Sequence, residues 1–258
     1  IKIDGSFPLQ KKLDSYNHFL RPVLSLRYSP NGNSDISTKD VLLNYDNVFS
    51  LNRIGASNQV EGGDSLSMGL EFKRSNSIGE DIIDFKIANV LKSKENLKLP
   101  SKSKLNRTRS DLFGSLTYNL NNNLKLAYDF SYDRDLKHSN LEGLNVDINL
   151  NNIFTDFYYY TTDNDLGEGE TISNNTIINL NKESSLKFNT TKDLINDFTE
   201  FYNLVYSYET DCISLDLNYN KSFYKDGNLQ PNESLSFLIK IIPFTELGVN
   251  NLGSLIKN

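Results

Sequence analysis

The side chains able to carry chemistry are few and scattered. Cys212 is the only cysteine, and His18 and His138 are the only histidines. No Cys/His metal set can be assembled from them. The two histidines fall near strand ends, far apart, with no spacing that suggests a metal site or a catalytic triad. Asp129, Asp133 and Asp135 invite a calcium reading, but Asp129 and Asp133 share one face of a strand, and hydration explains them more simply. Glu168 and Glu170 lie in a Gly-rich stretch that reads as a solvated loop. No Gly-rich phosphate loop or nucleophile elbow appears. The sequence thus points to no cofactor, no metal and no catalytic set.

Two features stay open. Between residues 92 and 109, Lys92, Lys94, Lys98, Lys102, Lys104, Arg107 and Arg109 stand against Glu95 alone. Such a run is either a solvated external loop or a patch that meets phosphates on an anionic lipid, through Lys98, Lys102, Lys104, Arg107 and Arg109. Cys212 is either a small residue without a role or, in an oxidising compartment, a thiol whose partner lies elsewhere.

The elements that must position these residues are strands. From Leu124 to Asp133, Leu124, Leu126, Tyr128, Phe130 and Tyr132 alternate with Lys125, Ala127, Asp129, Ser131 and Asp133. Successive side chains of a strand point to opposite faces, so this segment has one apolar and one polar face. The pattern predicts strands at about 18–28, 66–75, 83–92, 110–120, 124–134, 141–151, 153–162, 171–181, 185–193, 198–209, 212–224 and 233–242. Segments of about ten alternating residues, repeated and separated by turns, are the signature of a transmembrane β-barrel. Leu126, Tyr128, Phe130, Val146, Ile148, Leu215 and Leu217 are expected to face lipid. Lys125, Asp129, Asp147, Asn149, Asp216 and Asn218 are expected to face the lumen.

Connection lengths support this. Short turns at Asn121–Asn123, Asn151–Asn152, Asn181–Ser184 and Thr210–Asp211 alternate with longer loops at about 93–109, 135–140, 161–170 and 225–232. Outer-membrane barrels keep short turns in the periplasm and long loops outside. If the final strand descends to a periplasmic C-terminus, every short turn falls on the periplasmic side. A soluble β-sandwich has no reason to sort its loops this way.

Composition sets outer bounds. The chain has 258 residues, 38% of them hydrophobic, and a mean hydropathy of -0.47. No stretch approaches the roughly 20 apolar residues that a spanning helix needs. A low mean hydropathy is compatible with a barrel, whose lumen face is polar. The net charge of -6 disfavours nucleic-acid binding. The chain starts at Ile1 without Met and reads as part of a longer protein.

Several stretches resemble one family. Tyr45-Asp46-Asn47-Val48-Phe49-Ser50-Leu51-Asn52-Arg53, followed by Gly55, Ser57-Asn58, Gln59-Val60 and Gly62, is similar to the central signature of the lipopolysaccharide-assembly outer-membrane proteins, the LptD/OstA family. So are the following Ser67-Met68-Gly69-Leu70-Glu71-Phe72 and the earlier Leu20-Arg21-Pro22 with Tyr28-Ser29-Pro30. Leu99-Pro100 through Ser103, then Ser110-Asp111, resemble the family's next stretch. Residues 210–248 resemble its last two strands most closely of all.

The resemblance implies an all-β, antiparallel up-and-down transmembrane barrel in the outer membrane of a Gram-negative bacterium. Residues 1–258 would be its C-terminal portion, about 12 strands of a larger barrel, without the earlier strands and the N-terminal periplasmic domain. It implies a translocon component that inserts lipopolysaccharide into the outer leaflet through a lumen and a lateral gate, with no enzymatic step. Implied partners are lipopolysaccharide, a plug lipoprotein inside the barrel and, through the N-terminal domain, a periplasmic lipopolysaccharide-bridge protein. A cysteine placed like Cys212 forms an interdomain disulfide in the family. The gate would use the last strand, with Ser234, Leu235, Ser236, Phe237, Leu238, Ile239 and Lys240 along it. Pairing is expected to stop near Pro243, which has no N–H to donate. The alternative is another outer-membrane barrel, a diffusion pore or a barrel-embedded lipid hydrolase. A hydrolase would need a Ser/His pair at the rim, and neither histidine has an evident serine partner.

Overall fold

The computed structural model describes residues 1–30, 32, 35–39, 41–55, 61–164, 167–223, 231–241 and 245–249, with backbone alone for 164, 167 and 245–249. Its strands are β1 (Lys2–Ser6), β2 (Leu9–Lys12), β3 (Tyr16–Ser29), β4 (Gly63–Asn76), β5 (Asp81–Leu91), β6 (Leu112–Asn121), β7 (Leu124–Tyr132) and β8 (Ser139–Leu150). They continue as β9 (Ile153–Asn164), β10 (Gly167–Asn179), β11 (Ser184–Asp193), β12 (Phe198–Glu209), β13 (Ile213–Ser222), β14 (Asn232–Ile241) and β15 (Thr245–Val249). One short helix, α1 (Tyr45–Val48), interrupts them.

From β3 onward, each strand is hydrogen-bonded to the next in sequence. This is an antiparallel up-and-down arrangement, the fold class of a transmembrane β-barrel. All twelve expected strands are present. β1 and β2 share the other edge of β3, Lys2–Ser6 lying opposite Arg27–Val23 and Leu9–Lys12 opposite Leu20–Asn17. They are one strand broken at Phe7-Pro8. Phe7 N still donates to Pro22 O at 3.1 Å, but Pro8 has no N–H, so the ladder lapses there.

Two expectations need correcting. The loop expected at 161–170 is mostly strand: β9 runs to Asn164 and β10 begins at Gly167. The gate strand Ser234–Lys240 is not outermost either. β14 ends at Ile241, yet β15 turns back and pairs with it, from Ile241↔Thr245 to Phe237↔Val249. Pro243 itself lies outside the described residues.

The short turns are closed by side chains. Asn121 Oδ1 accepts from the backbone N–H groups of Asn123 and Leu124, and Asn181 Oδ1 from those of Glu183 and Ser184. Asn76 Oδ1 does the same for Ile78 and Glu80 in the β4–β5 turn. Asn151 takes a φ of 50°, which Asn tolerates better than most residues. The abundance of Asn in the turns is therefore a folding signal.

The structure divides into two units, and each is described separately. The first comprises residues 1–120, 125–144 and 161–168; the second comprises 121–124, 145–160 and 169–258. In the first unit, Leu24 and Leu26 of β3 lie opposite Met68 and Leu66 of β4, with more than half their area exposed. The other face carries Ser25, Arg27, Ser65, Ser67 and Glu71, all buried. In the second unit, Leu204, Tyr206, Leu215, Leu217, Leu235, Phe237 and Ile239 share one face, set by Leu204↔Tyr219, Tyr206↔Leu217 and Leu217↔Phe237. Asp216, Asn218, Ser234, Ser236 and Lys240 share the other. An exposed apolar face backed by a polar one suits a wall between lipid and water.

Candidate functional site

In the first unit, the polar face of the wall is covered by the segments between β3 and β4 and between β5 and β6. Asn44 starts α1 with a reciprocal capping box, its Oδ1 accepting from Asn47 N and its N donating to Asn47 Oδ1. Ile36, Leu43, Val48 and Ile54 of the first segment and Leu99 and Leu105 of the second pack on Ala88 and Val90 of β5 and Phe113 of β6. This buried cluster is a small dry core on a face that the alternation alone marks as polar. The two segments also bond each other: Ile36 N donates to Lys98 O at 2.9 Å and Leu43 N to Ser103 Oγ at 2.8 Å. Gly69 of β4 allows the approach. A Cβ there would lie 2.6 Å from Phe49 Cζ and 3.1 Å from Tyr45 Cε2.

A buried charge cluster pins the first segment. Arg53 reaches Glu61 through two bonds, Nε to Oε2 at 2.6 Å and Nη2 to Oε1 at 2.7 Å. It also donates to Ser67 Oγ at 2.8 Å and Ser65 Oγ at 2.9 Å. Lys92 Nζ lies 2.8 Å from Glu61 Oε1, and Arg27 lies 3.5 Å from Oε2 while donating to the carbonyls of Ser50 and Leu51. The side chains of Arg53 and Glu61 are 0% and 2% exposed. Burial by itself would raise the Glu61 pKa. The hydrogen bonds and charge of Arg53, then the Lys92 charge, overcome it and hold the carboxyl at about 2. The sequence did not show this cluster. The one available signal was a lone Arg in a weakly charged stretch, ahead of a strand with Ser at alternate positions.

In the second unit, the polar face carries a cross-strand row of amides. Asn175 lies opposite Asn189, Asn189 opposite Asn203, Asn203 opposite Asn220 and Asn220 opposite Ser234. Asn175 Nδ2 donates to Asp156 Oδ1 of β9 at 2.9 Å, extending the row to six strands. Asn203 Nδ2 donates to Asn218 Oδ1 at 2.7 Å. The row lines an open recess of about 620 Å³.

The residues singled out in the sequence are not brought together as one set. Lys104, Arg107 and Arg109 line a single cavity, whereas Lys98 and Lys102 do not. Ser234–Lys240 lie along β14. Cys212 is a free, exposed thiol in the turn before β13. His18 stacks on Phe72 with ring centroids 6.0 Å apart. Among the described residues, no group of three or more His, Cys, Asp or Glu side chains is placed to hold a metal.

The family model described as LptD, LPS transport system D, matches residues 1–225. The chain belongs to the LptD family. Membership in the LptD family places it in the outer membrane of a Gram-negative bacterium. No curated protein matches it. Among solved structures, the siderophore receptor PirA from Acinetobacter baumannii aligns over 98% of this chain and 50% of its own, at 7% identity and a TM-score of 0.47. The chain thus spans half the length of that receptor. A mutant of the Rh. blastica porin aligns over 97% of this chain and 98% of its own, at 8% identity and a TM-score of 0.35. Salmonella typhi OmpF in complex with daunomycin aligns over 96% and 87%, at 11% identity and a TM-score of 0.35.

Proposed function

We propose that this LptD-family chain forms part of the wall of the translocon that inserts lipopolysaccharide into the outer leaflet. Its apolar face meets the bilayer, and its polar face lines the headgroup path and adjoins the plug lipoprotein. The observation that carries this reading is the amide row from Asn175 to Asn220, placed back to back with Leu204, Tyr206 and Leu217. A row of neutral donors and acceptors can solvate sugar hydroxyls without binding them as ions. The work is done by shape, hydrogen bonding and a lateral opening, with no covalent step.

A photo-crosslinker at Asn203 should trap lipopolysaccharide only while transport is running. Capture from Leu204 should persist when the periplasmic supply is blocked, because that side meets lipid already delivered. Capture from Asn203 that ignores the block, or no capture there at all, refutes the reading.

We further propose that the exit seam is at the β14 end of the sheet. Because β15 covers Phe237–Ile241, the seam lies beyond β15, with Ser234–Lys240 supporting it. Lys240 and Glu246 are register partners in β14 and β15. A disulfide between Lys240→Cys and Glu246→Cys should leave lipopolysaccharide delivery unchanged. Arrested delivery would return the seam to the edge of β14 itself.

A further inference from the structure

We propose that the cavity between the β5–β6 and β7–β8 loops is a phosphate-binding site. It encloses about 220 Å³, and Lys104, Arg107, Arg109 and Arg134 line it. Three guanidinium forks and an ammonium around one small space suit a compact anion with several acceptor oxygens. The acidic groups facing them are Glu95, Asp133 and Asp111. Glu95 engages Arg107 at 3.5 Å, and Asp133 Oδ1 accepts from Lys137 N at 2.9 Å.

Asp111 gives the site its built character. It is 0% exposed. Its Oδ2 accepts from Asn140 Nδ2 of β8 at 2.8 Å and from Ser131 Oγ of β7 at 3.2 Å. Its Oδ1 is buried, belongs to a cavity-lining residue and has no hydrogen-bond partner among the described residues. Burial pushes the carboxyl up to about 6, against the opposing bonds from Asn140 and Ser131 and the Lys104 charge. With Oδ2 already serving two donors, the proton that Asp111 binds below about pH 6 belongs on Oδ1. That O–H is then buried without an acceptor, in a residue that lines the cation-rich cavity. With Asp111 protonated, the lining carries four positive and two negative groups. When Asp111 ionises, the balance falls by one and its charge opposes the ligand.

The same chemistry is offered by the phosphate of a lipid headgroup and by free phosphate. The site itself rests on this geometry and goes beyond the transport reading; only the lipid source depends on that reading.

The probe is inorganic phosphate, titrated calorimetrically into the folded protein in detergent micelles. One saturable site is expected, weakened about tenfold or more by Arg109→Gln with Arg134→Gln. Inorganic sulfate keeps a constant charge across the range in which Asp111 titrates, so it isolates that group. Wild type should bind sulfate less tightly as pH rises through about 6, and Asp111→Asn should bind without that dependence. No saturable binding, or affinity unchanged in the double Arg variant while protease resistance stays normal, overturns the site. A phosphorylated glycolipid in the micelle that displaces phosphate, where its dephosphorylated form does not, assigns the site to headgroups. Failure of both lipids to compete assigns it to free phosphate. In either case the site stands.

Discussion

Replacing Arg53 with Ala should unseat the loop between β3 and β4 at a cost of about 3–5 kcal/mol. The magnitude follows from what remains. Glu61, 2% exposed, would lose both Arg53 bonds while still held beside Lys92 and Arg27. Ser65 and Ser67 would lose their buried donor as well. Arg53→Lys should rescue little, because an ammonium cannot reproduce two parallel bonds to one carboxylate. The readout is protease cleavage between Leu43 and Arg53 in the folded protein, expected to rise on the order of a hundredfold or more. Cleavage at the wild-type rate would show that the dry core around Val48 and Leu99 holds the loop without the charges.

The same cluster predicts an acid limit. The Glu61 carboxyl is held at about 2, below its ordinary 4.5, so the folded state favours the ionised form. Its stabilisation is fully present above pH 4.5 and is lost as pH falls through about 2. At neutral pH the difference amounts to about 3 kcal/mol. Loop release on acidification in that window, absent in Glu61→Gln, is the expected signature.

The second large effect separates the two faces. Leu217→Arg should cost about 2–4 kcal/mol near mid-bilayer, and Asn218→Arg far less. Leu217 lies between Tyr206 and Phe237 on the apolar face, whereas Asn218 lies between Val205 and Ser236 on the polar one. Urea unfolding in lipid vesicles measures both. Equal losses would mean that neither face is wetted differently from the other.

Much of this wall was legible because its rule is local. The alternation of Leu215 and Leu217 with Asp216 and Asn218 reports its own faces, and the register agrees. The misreadings occur where the rule lapses. β1 and β2 carry Pro8 between them and too few residues to show a period. Glu168 and Glu170 read as a loop because their Gly-rich stretch shows no apolar alternation. β15 was missed because Pro243 was taken to end the sheet. The site was harder to see than the fold, because Arg53–Glu61–Lys92 depends on where two loops run. The basic run was visible, but only Lys104, Arg107 and Arg109 of its members meet, and Arg134 joins them from another loop.

The side-chain-closed turns bear on the order in which the molecule can assemble. Asn175 and Asn189, or Asn189 and Asn203, are partners only a short way along the chain. Each hairpin therefore closes a small loop at little entropic cost, and its register is fixed by residues already made. Such a wall can grow one hairpin after another. The loop under Arg53 follows a different schedule, because Leu43 must wait for Ser103, 60 residues further on, before its N–H is satisfied.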